Sequence, residues 1–381
     1  MLEAVIHPLP TITSTIQSIP IPDPGPHELL IKVVAAGSNV KDWWHLTQKN
    51  YSFNSGDDIA GTVHAIGSSV YGFNIGDRVA AFHPMGTSGG AYAEYAIAPC
   101  HTTFHIPKNV SFEEASTIPL VSTTAAITLF RRQALPTPWS PAPPSSPPIP
   151  LIVYGASSAL GLFTVKLARL ANIHPIIAIG GASHLHLLPL LDKSLGDTFV
   201  DYCDGVESMM TQVASALQNS PFGPLKARHA LDAISSGDTW VHVSRMLDPT
   251  RDPVTGQESI LSVTSGANKY DEPEIPDGVK IVYTFVGTAH TGKYMPAMPK
   301  QPEDAVEVTN DVEFAGTFFE WVGEALAEGI FEGHRYKVTP GGLLGVEASL
   351  RALKEGKAKG KKFVCLVEET PELEGNKRDS A

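Results

Sequence analysis

The chain has 381 residues, 43% of them hydrophobic and 18% charged, which describes a globular protein with a large core and, by length, two domains. Its net charge of −12 argues against nucleic acid as a main partner, and its three cysteines, Cys100, Cys203 and Cys365, are too few and too widely spaced for a disulfide framework. No run approaches the ~18 uncharged apolar residues of a membrane helix, and the N-terminus lacks a basic-then-apolar leader, so a cytoplasmic protein without membrane partners is expected.

In chain order, residues 28–36, 59–66, 76–82 and 91–97 alternate or cluster in strand fashion between Gly, Asn, Asp and Pro, giving a β-rich first part. Residues 112–132 predict a helix leading out of it. The stretch 136–150, PTPWSPAPPSSPPIP, holds too much proline for a helix or a central strand. An exposed polyproline-like loop is the simple reading, and a peptide-recognition ligand is the other.

Residues 151–154, LIVY, read as a buried parallel strand. The strand runs into Gly155, Ala156, Ser157, Ser158, Ala159, Leu160 and Gly161, after which Leu162, Val165 and Ala168 recur at helical spacing. Small residues let backbone approach a ligand, and a helix start offers unpaired N–H groups and a positive dipole end, a seat for a dinucleotide pyrophosphate. Ser157 replaces the middle glycine of G-x-G-x-x-G, so a glycine-cornered turn without a ligand is the competing reading. Strands at 174–179, 197–201, 228–234, 259–264 and 279–286 follow, separated by helical stretches such as 206–218, which predicts a doubly wound parallel sheet. Residues 311–381 add a long helix, a strand, a Gly-Gly turn and a lysine-rich helix.

Several separated motifs resemble the medium-chain dehydrogenase/reductase superfamily. Asn39-Val-Lys-Asp42-Trp43 is similar to its N-P-x-D-W, with Val40 for the proline; Gly56-Asp-Asp-Ile-Ala-Gly61, Gly67 and Gly76-Asp-Arg-Val79 are similar to its G-x-D-x-A-G…V-G…G-D-R-V run. Ile118-Pro-Leu and Thr123-Thr-Ala125 resemble its helix under the nicotinamide. Pro340-Gly-Gly-Leu343 and the run from Glu355 to Lys362 resemble the tail of quinone-oxidoreductase-like and fungal trans-acting enoyl reductases. The resemblance implies an α/β fold: a β-rich GroES-like catalytic domain over 1–127 and 310–381, and a Rossmann cofactor-binding domain over 128–309.

Zinc-dependent members carry a cysteine in the Gly37-Ser-Asn39 region and a His-Glu pair after Gly56; this chain has Asn39 and Asp57-Asp58. Residues 84–104 contain Cys100 alone where a structural zinc lobe needs four cysteines, so a zinc-free enzyme is expected. Without a metal, an alcohol has no Lewis acid to lower its pKa, whereas reduction of an activated C=C bond needs a hydride, a donor for the enolate oxygen and a proton. The expected enzyme is an NADPH-dependent reductase of a quinone, enone or enoyl thioester, acting as a monomer or homodimer on a small-molecule or carrier-bound unsaturated substrate. Alternatives are a trans-acting enoyl reductase serving a polyketide synthase and a low-turnover NADPH-binding protein.

The resemblance implies Tyr51 and Asn39 as catalytic residues. Tyr51 is either a proton donor or enolate partner, or a partly buried aromatic. Asn39 and Asp42 either order the loop under the nicotinamide or make local turn bonds. Lys41, Asp42, Trp43 and Thr124 are cofactor-contact candidates, as are Ile234, Val286 and Gly287 at later strand ends; a packing role is the alternative for Thr124. After the second strand no carboxylate stands before Asp192, which favours a 2′-phosphate, with Ser183, His184 and Tyr202 as its contacts. The lysine that relatives carry there is absent, Leu185 standing between two histidines. His290 is a candidate pocket residue or a loop histidine. The cluster of Arg351, Lys354, Lys357, Lys359, Lys361 and Lys362 is a polyanion patch, a solvated helix face, or, through Lys359, a turn that closes over the cofactor.

Overall fold

The computed structural model describes residues 1–181, 184–294 and 308–372. Two compact units arise, Met1–Leu120 with Val312–Ala381, and Val121–Asp311.

The first unit opens with an antiparallel hairpin of β1 (Leu2–His7) and β2 (Thr13–Ser18), which the sequence patterning did not announce. Strand β2 reads TSTIQS, with one large apolar residue, so its alternation signal is weak. Next come β3 (Glu28–Gly37), α1 (Lys41–Lys49), β4 (Asp58–Ile66), β5 (Arg78–Phe82), β6 (Tyr95–Pro99) and β7 (Thr103–His105). Strand β3 pairs antiparallel with β4 and β6, β4 with β5, and β5 with β7. The strand expected over 91–97 is divided between two neighbours. The Ala4 and Glu94 amides bond the Tyr92 and Leu2 carbonyls, so residues 91–94 run beside β1, and the ladder with β3 starts at Tyr95.

The single helix expected over 112–132 is broken into α2 (Phe112–Ala115) and α3 (Pro119–Ala126), with a π-helical continuation over Ile127–Arg132. Pro119 disfavours helical backbone at Ile118 and suits the first position of a new helix.

The second unit alternates β8 (Leu151–Tyr154), α4 (Ala159–Leu170), β9 (Ile176–Gly180), β10 (Thr198–Asp201), α5 (Val206–Gln218), β11 (His229–Asp232), α6 (Thr239–Ser244), β12 (Ser259–Val263), β13 (Val279–Tyr283) and α7 (Thr288–Thr291). Its described strands form one sheet in the order β10-β9-β8-β11-β12-β13, every pair parallel. The order reverses between β8 and β11, as in a doubly wound fold. The proline-rich stretch is irregular and pinned to this unit: Ala142 and Ile149 donate to the carbonyls of Ala171 and His174.

The chain returns through α8 (Asp311–Ala327), β14 (Tyr336–Val338), α9 (Gly345–Lys354) and β15 (Lys362–Leu366). Strand β15 pairs parallel with β14 and antiparallel with β3, which closes the larger sheet of the first unit around Ile6, Ile31, Leu46, Ile59, Tyr92 and Val346. The lysine-rich segment is not one helix. Helix α9 ends at Lys354, and Gly356 and Gly360 take positive φ of 68° and 71°, so Lys357, Lys359 and Lys361 ride a turn and Lys362 opens a strand. No helix among the described residues is long and apolar enough to cross a membrane.

Candidate functional site

In the second unit, parallel strands bring their C-terminal ends to one sheet edge, and the predicted cofactor residues follow those ends. After β8 the chain turns at Gly155, with φ of 74°; a Cβ there would lie 2.6 Å from Ile234 Cγ1, so Ile234 lies against the turn. Gly161 packs α4 onto the same turn: its Cβ would stand 2.4 Å from the Gly155 carbonyl oxygen and 2.5 Å from Ala156 Cα. The Ser158 hydroxyl accepts the Gly161 N–H at 3.1 Å and caps α4. Ser157 Oγ is buried without a hydrogen-bond partner among the described residues, and lies 2.5 Å from where a Gly180 Cβ would be. Tyr202, 43% exposed, lies against Gly181, whose Cβ would come 2.6 Å from the phenol oxygen, and its ring stacks on Tyr154 at 5.9 Å.

These features fit a dinucleotide: glycines open the backbone to close approach, an orphaned hydroxyl faces the turn, and the start of α4 presents N–H groups and its dipole. Ser183 lies outside the described residues, and His184 begins the short 3₁₀ turn His184–His186. Thr124 is buried in α3, Val286 is buried beyond β13, and Gly287 leads into α7. His290 is half-buried in α7.

Two supports of this edge escaped the sequence reading. Asp232, the last residue of β11, accepts the Ile234 and Ser235 amides at 2.9 Å each and the Thr239 hydroxyl, which shapes the turn carrying Ile234. Its position before Ala-Ile-Ser-Ser-Gly was a readable turn signal. Buried Arg132 pairs with buried Asp311 at 2.5 Å and donates to Thr288 Oγ1 at 3.2 Å, holding the start of α7.

In the first unit, the Asn39–Trp43 motif occupies the entry and first turn of α1, and there the structure gathers a buried charge cluster. Asp58 accepts from Asn39 Nδ2 at 2.9 Å, from the Leu120 amide at 2.7 Å and from Lys362 Nζ. Asp42 accepts the Asn39 amide at 2.8 Å and the Tyr92 hydroxyl at 2.6 Å, and pairs with Lys41 at 3.0 Å. Lys41 Nζ also pairs with Asp57 and donates to the Ser55 carbonyl at 2.5 Å. Asn39 and Asp42 thus tie the loop to β4 and to Tyr92.

Burial raises the pKa of Asp42 against the pull of Lys41, Tyr92 and Asn39, and pushes Asp57 up to about 8, with Asp42 and Asp58 adding to the shift. Burial works against the charge on Lys41, but Asp42 and Asp57 outweigh it and its pKa lies above the usual value. Burial, with Lys41 and Lys49 adding, lowers His45 to about 4 and keeps that ring neutral.

Tyr51 follows the left-handed Asn50 that ends α1; its half-buried ring packs 6.0 Å from Phe53 and its hydroxyl lies 4.0 Å from where a Gly86 Cβ would stand. The nine residues of α1 put its ends about 12 Å apart, so the charge cluster and Tyr51 sit at opposite ends of one helix. The basic run is partly consumed locally. Arg351 pairs with Glu347 and bonds the Ile12 carbonyl, Lys357 pairs with Glu355, Lys362 is inside, and Lys354 lies 5.4 Å above the Trp43 ring. Lys359 is exposed, at a φ of 45° in the turn.

Comparison with known proteins agrees with both units. Residues 25–108 match the alcohol dehydrogenase GroES-like domain. The chain is 34% identical over 346 residues to the trans-enoyl reductase fsr4 of Gibberella fujikuroi, covering 90% of this chain and 91% of that protein. It is 30% identical over 395 residues to the trans-enoyl reductase resD of Aspergillus sclerotiorum, covering 96% and 100%. Among solved structures, the CurK enoyl reductase superposes with a TM-score of 0.67 at 18% identity over 93% of this chain and 95% of that one, a likeness of fold. A GroES-like domain, a doubly wound sheet with its glycine-rich turn at the switch point and relatives along nearly the whole length lead to one conclusion: the chain belongs to the medium-chain dehydrogenase/reductase superfamily, as an oxidoreductase of its enoyl reductase branch.

Proposed function

We propose that this protein is a metal-independent, NADPH-dependent reductase of activated C=C bonds in enones, quinones or enoyl thioesters. The observation that carries the reading is the charge cluster at α1. Where zinc-dependent relatives present metal ligands, Asn39 is committed as a donor to Asp58, and the cations beside Asp42, Asp57 and Asp58 are the ammonium groups of Lys41 and Lys362. Lysine supplies no Lewis acid for an alcohol, whereas a conjugated acceptor needs hydride, a hydrogen-bond donor and a proton.

A nicotinamide cofactor, when bound, supplies the hydride. The turn from Gly155 to Gly161 would hold its pyrophosphate through backbone N–H groups and the Ser157 hydroxyl, and Ile234 would cover the turn. The run Gly180-Gly-Ala-Ser183 and Tyr202 carry no carboxylate to repel a 2′-phosphate, which supports NADPH over NADH. Asn39 and Asp42 would keep the loop under the nicotinamide in place, and Tyr51 would offer a phenol to the enolate. The names of the relatives, trans-enoyl reductases, support an enoyl group as the part of the substrate that is reduced.

The test follows absorbance at 340 nm, as NADPH consumption with an enone, a quinone or an enoyl thioester and as NADPH formation from NADP⁺ with a simple alcohol, for the native protein and Tyr51→Phe. Reduction of a conjugated acceptor with a loss on the order of 10²–10⁴ in Tyr51→Phe is expected if its phenol is the acid. Brisk alcohol oxidation with no conjugated reduction, or one zinc per chain by metal analysis, overturns the reading. An unchanged rate in Tyr51→Phe leaves the reaction class standing and removes Tyr51 from it.

A further inference from the structure

The turn after β11 is held from two sides. Within it, Asp232 accepts the Ile234 and Ser235 amides, and the Ser235 hydroxyl donates to the Asp232 carbonyl at 2.9 Å. From outside, the loop after β12 reaches back to the same residue. The Thr264 amide donates to Ser235 Oγ at 3.1 Å, and Asn268 Nδ2 donates to the Ser235 carbonyl at 2.8 Å. The amide, hydroxyl and carbonyl of Ser235 are all engaged, the last two by the loop. These bonds keep Ser235 buried at a φ of 50°, left-handed backbone that few non-glycine residues adopt.

The loop is itself braced. Tyr270 takes a φ of 59°, an outlier for a bulky side chain. Its hydroxyl donates to the Ser265 carbonyl at 2.6 Å, and its ring stands edge-on to Trp240 at 5.1 Å. Trp240, buried in α6, donates Nε1 to Glu272 Oε2 at 2.7 Å. Backbone strain persists only where the surroundings over-determine it, and the ring and hydroxyl of Tyr270 are both fixed here. Asn268 lies between the braced positions Ser265 and Tyr270, and its side chain reaches Ser235.

Between Asp232 and Ser235 the turn carries Ile234. Its side chain is 43% exposed, yet its Cγ1 and Cδ1 stand 2.6 and 2.8 Å from where a Gly155 Cβ would be. The missing side chain at Gly155 lets Ile234 lie along the first corner of the dinucleotide seat. An apolar side chain left half in solvent beside that corner is fully buried only when a ligand lies against it. Both bonds from the loop to the turn thus fall on the neighbour of the residue that borders the seat.

We propose that Asn268 is a positioning residue for the dinucleotide: through Ser235 it holds Ile234 against the Gly155 corner, so the loop after β12 sets cofactor affinity. This rests on the reading above that the turn from Gly155 to Gly161 seats the pyrophosphate. Because Ile234 borders the part common to both dinucleotides, Asn268 does not distinguish NADPH from NADH.

The test is calorimetric titration of the full-length protein with NADPH and with NADH, for the native chain, Asn268→Ala, Ile234→Ala and the double variant. Ile234→Ala removes three carbons that the ligand covers in part, which should weaken each cofactor by about tenfold. Asn268→Ala should weaken both by the same factor, about 3–10-fold, the range of one lost hydrogen bond. In the Ile234→Ala background the same change should weaken binding by less than about twofold, because the side chain that it positions is gone.

A merely structural Asn268 would lower the urea midpoint and leave the affinity of the folded protein unchanged, and that result overturns the proposal. Equal losses in the two backgrounds, or a loss confined to NADPH, overturn it too. Asn268→Asp keeps the shape of the side chain and gives up the Nδ2 donor; it should show the same loss for both cofactors, and it decides should Asn268→Ala not fold. A native protein that binds neither dinucleotide overturns the cofactor seat and the proposal together. Failure of the double-variant comparison alone leaves the seat standing.

Discussion

Gly161→Ala adds one methyl group where α4 meets the turn after β8. That Cβ would stand 2.4 Å from the Gly155 carbonyl oxygen, 2.5 Å from Ala156 Cα and 2.9 Å from Ala156 C, all of them backbone. Carbon contacts are comfortable at about 3.5 Å, so the helix and the turn must part by about 1 Å. Overpacking of this kind costs about 1–3 kcal/mol, and the better helix propensity of alanine returns at most about 1 kcal/mol. A net loss of about 1–2 kcal/mol is expected by urea denaturation. The displaced atoms carry the N–H groups proposed to hold the pyrophosphate, and misaligning one charge-assisted bond costs about 1.5–3 kcal/mol, which is about 10–100-fold in NADPH affinity by calorimetric titration. Gly316→Ala in α8 is the control, because its Cβ would meet only His101 Cβ, at 3.7 Å. It should be neutral or stabilising. Unchanged stability and affinity in Gly161→Ala would refute the packing argument, and lost stability with unchanged affinity would make the turn a structural corner with the cofactor elsewhere.

Tyr92→Phe removes the hydroxyl that donates to buried Asp42 at 2.6 Å, and leaving that carboxyl short of a donor should cost about 1–3 kcal/mol in urea unfolding. Burial, with Arg228 adding, holds His229 at about 4, and its Nδ1 donates to Gln133 Oε1 at 3.2 Å. A depressed histidine contributes stability that is full above pH 6.5 and is lost as pH falls towards 4, here at most about 3 kcal/mol. The urea midpoint should therefore fall over that window, less steeply in His229→Gln; an identical slope in the variant would refute the assignment.

The strand–turn–helix from Leu151 to Leu170 could be read from sequence because its determinants are local. A strand buried on both faces is a continuous apolar run, Ser158 caps the helix beside it, Gly155 answers a positive φ in its own turn, and Gly161 answers backbone only five and six residues before it. The alternation of strands and helices to Tyr283 was legible for the same reason. Local signals also misled where two elements shared them. Proline at 119 divides a helical pattern that hydrophobicity alone runs together, and the alternating stretch 91–97 serves β1 with one part and β3 with the other.

The charge cluster lay beyond such reading. Asp57-Asp58 was visible as a departure from the zinc pattern, but its meaning depends on Lys362, which lies 304 positions from Asp58 and arrives only when β15 returns to pair with β3. Read alone, Lys362 belonged to a basic run on a helix face; strand pairing turns it inward, and the cost of burying an ammonium then makes Asp58 its obligatory partner. The sequence by itself determined the family, the glycine-rich turn and the missing zinc ligands, because each is a matter of residue type at short spacing. Which lysine answers which aspartate was decided by tertiary structure, because desolvation acts on a charge only once the chain has closed around it.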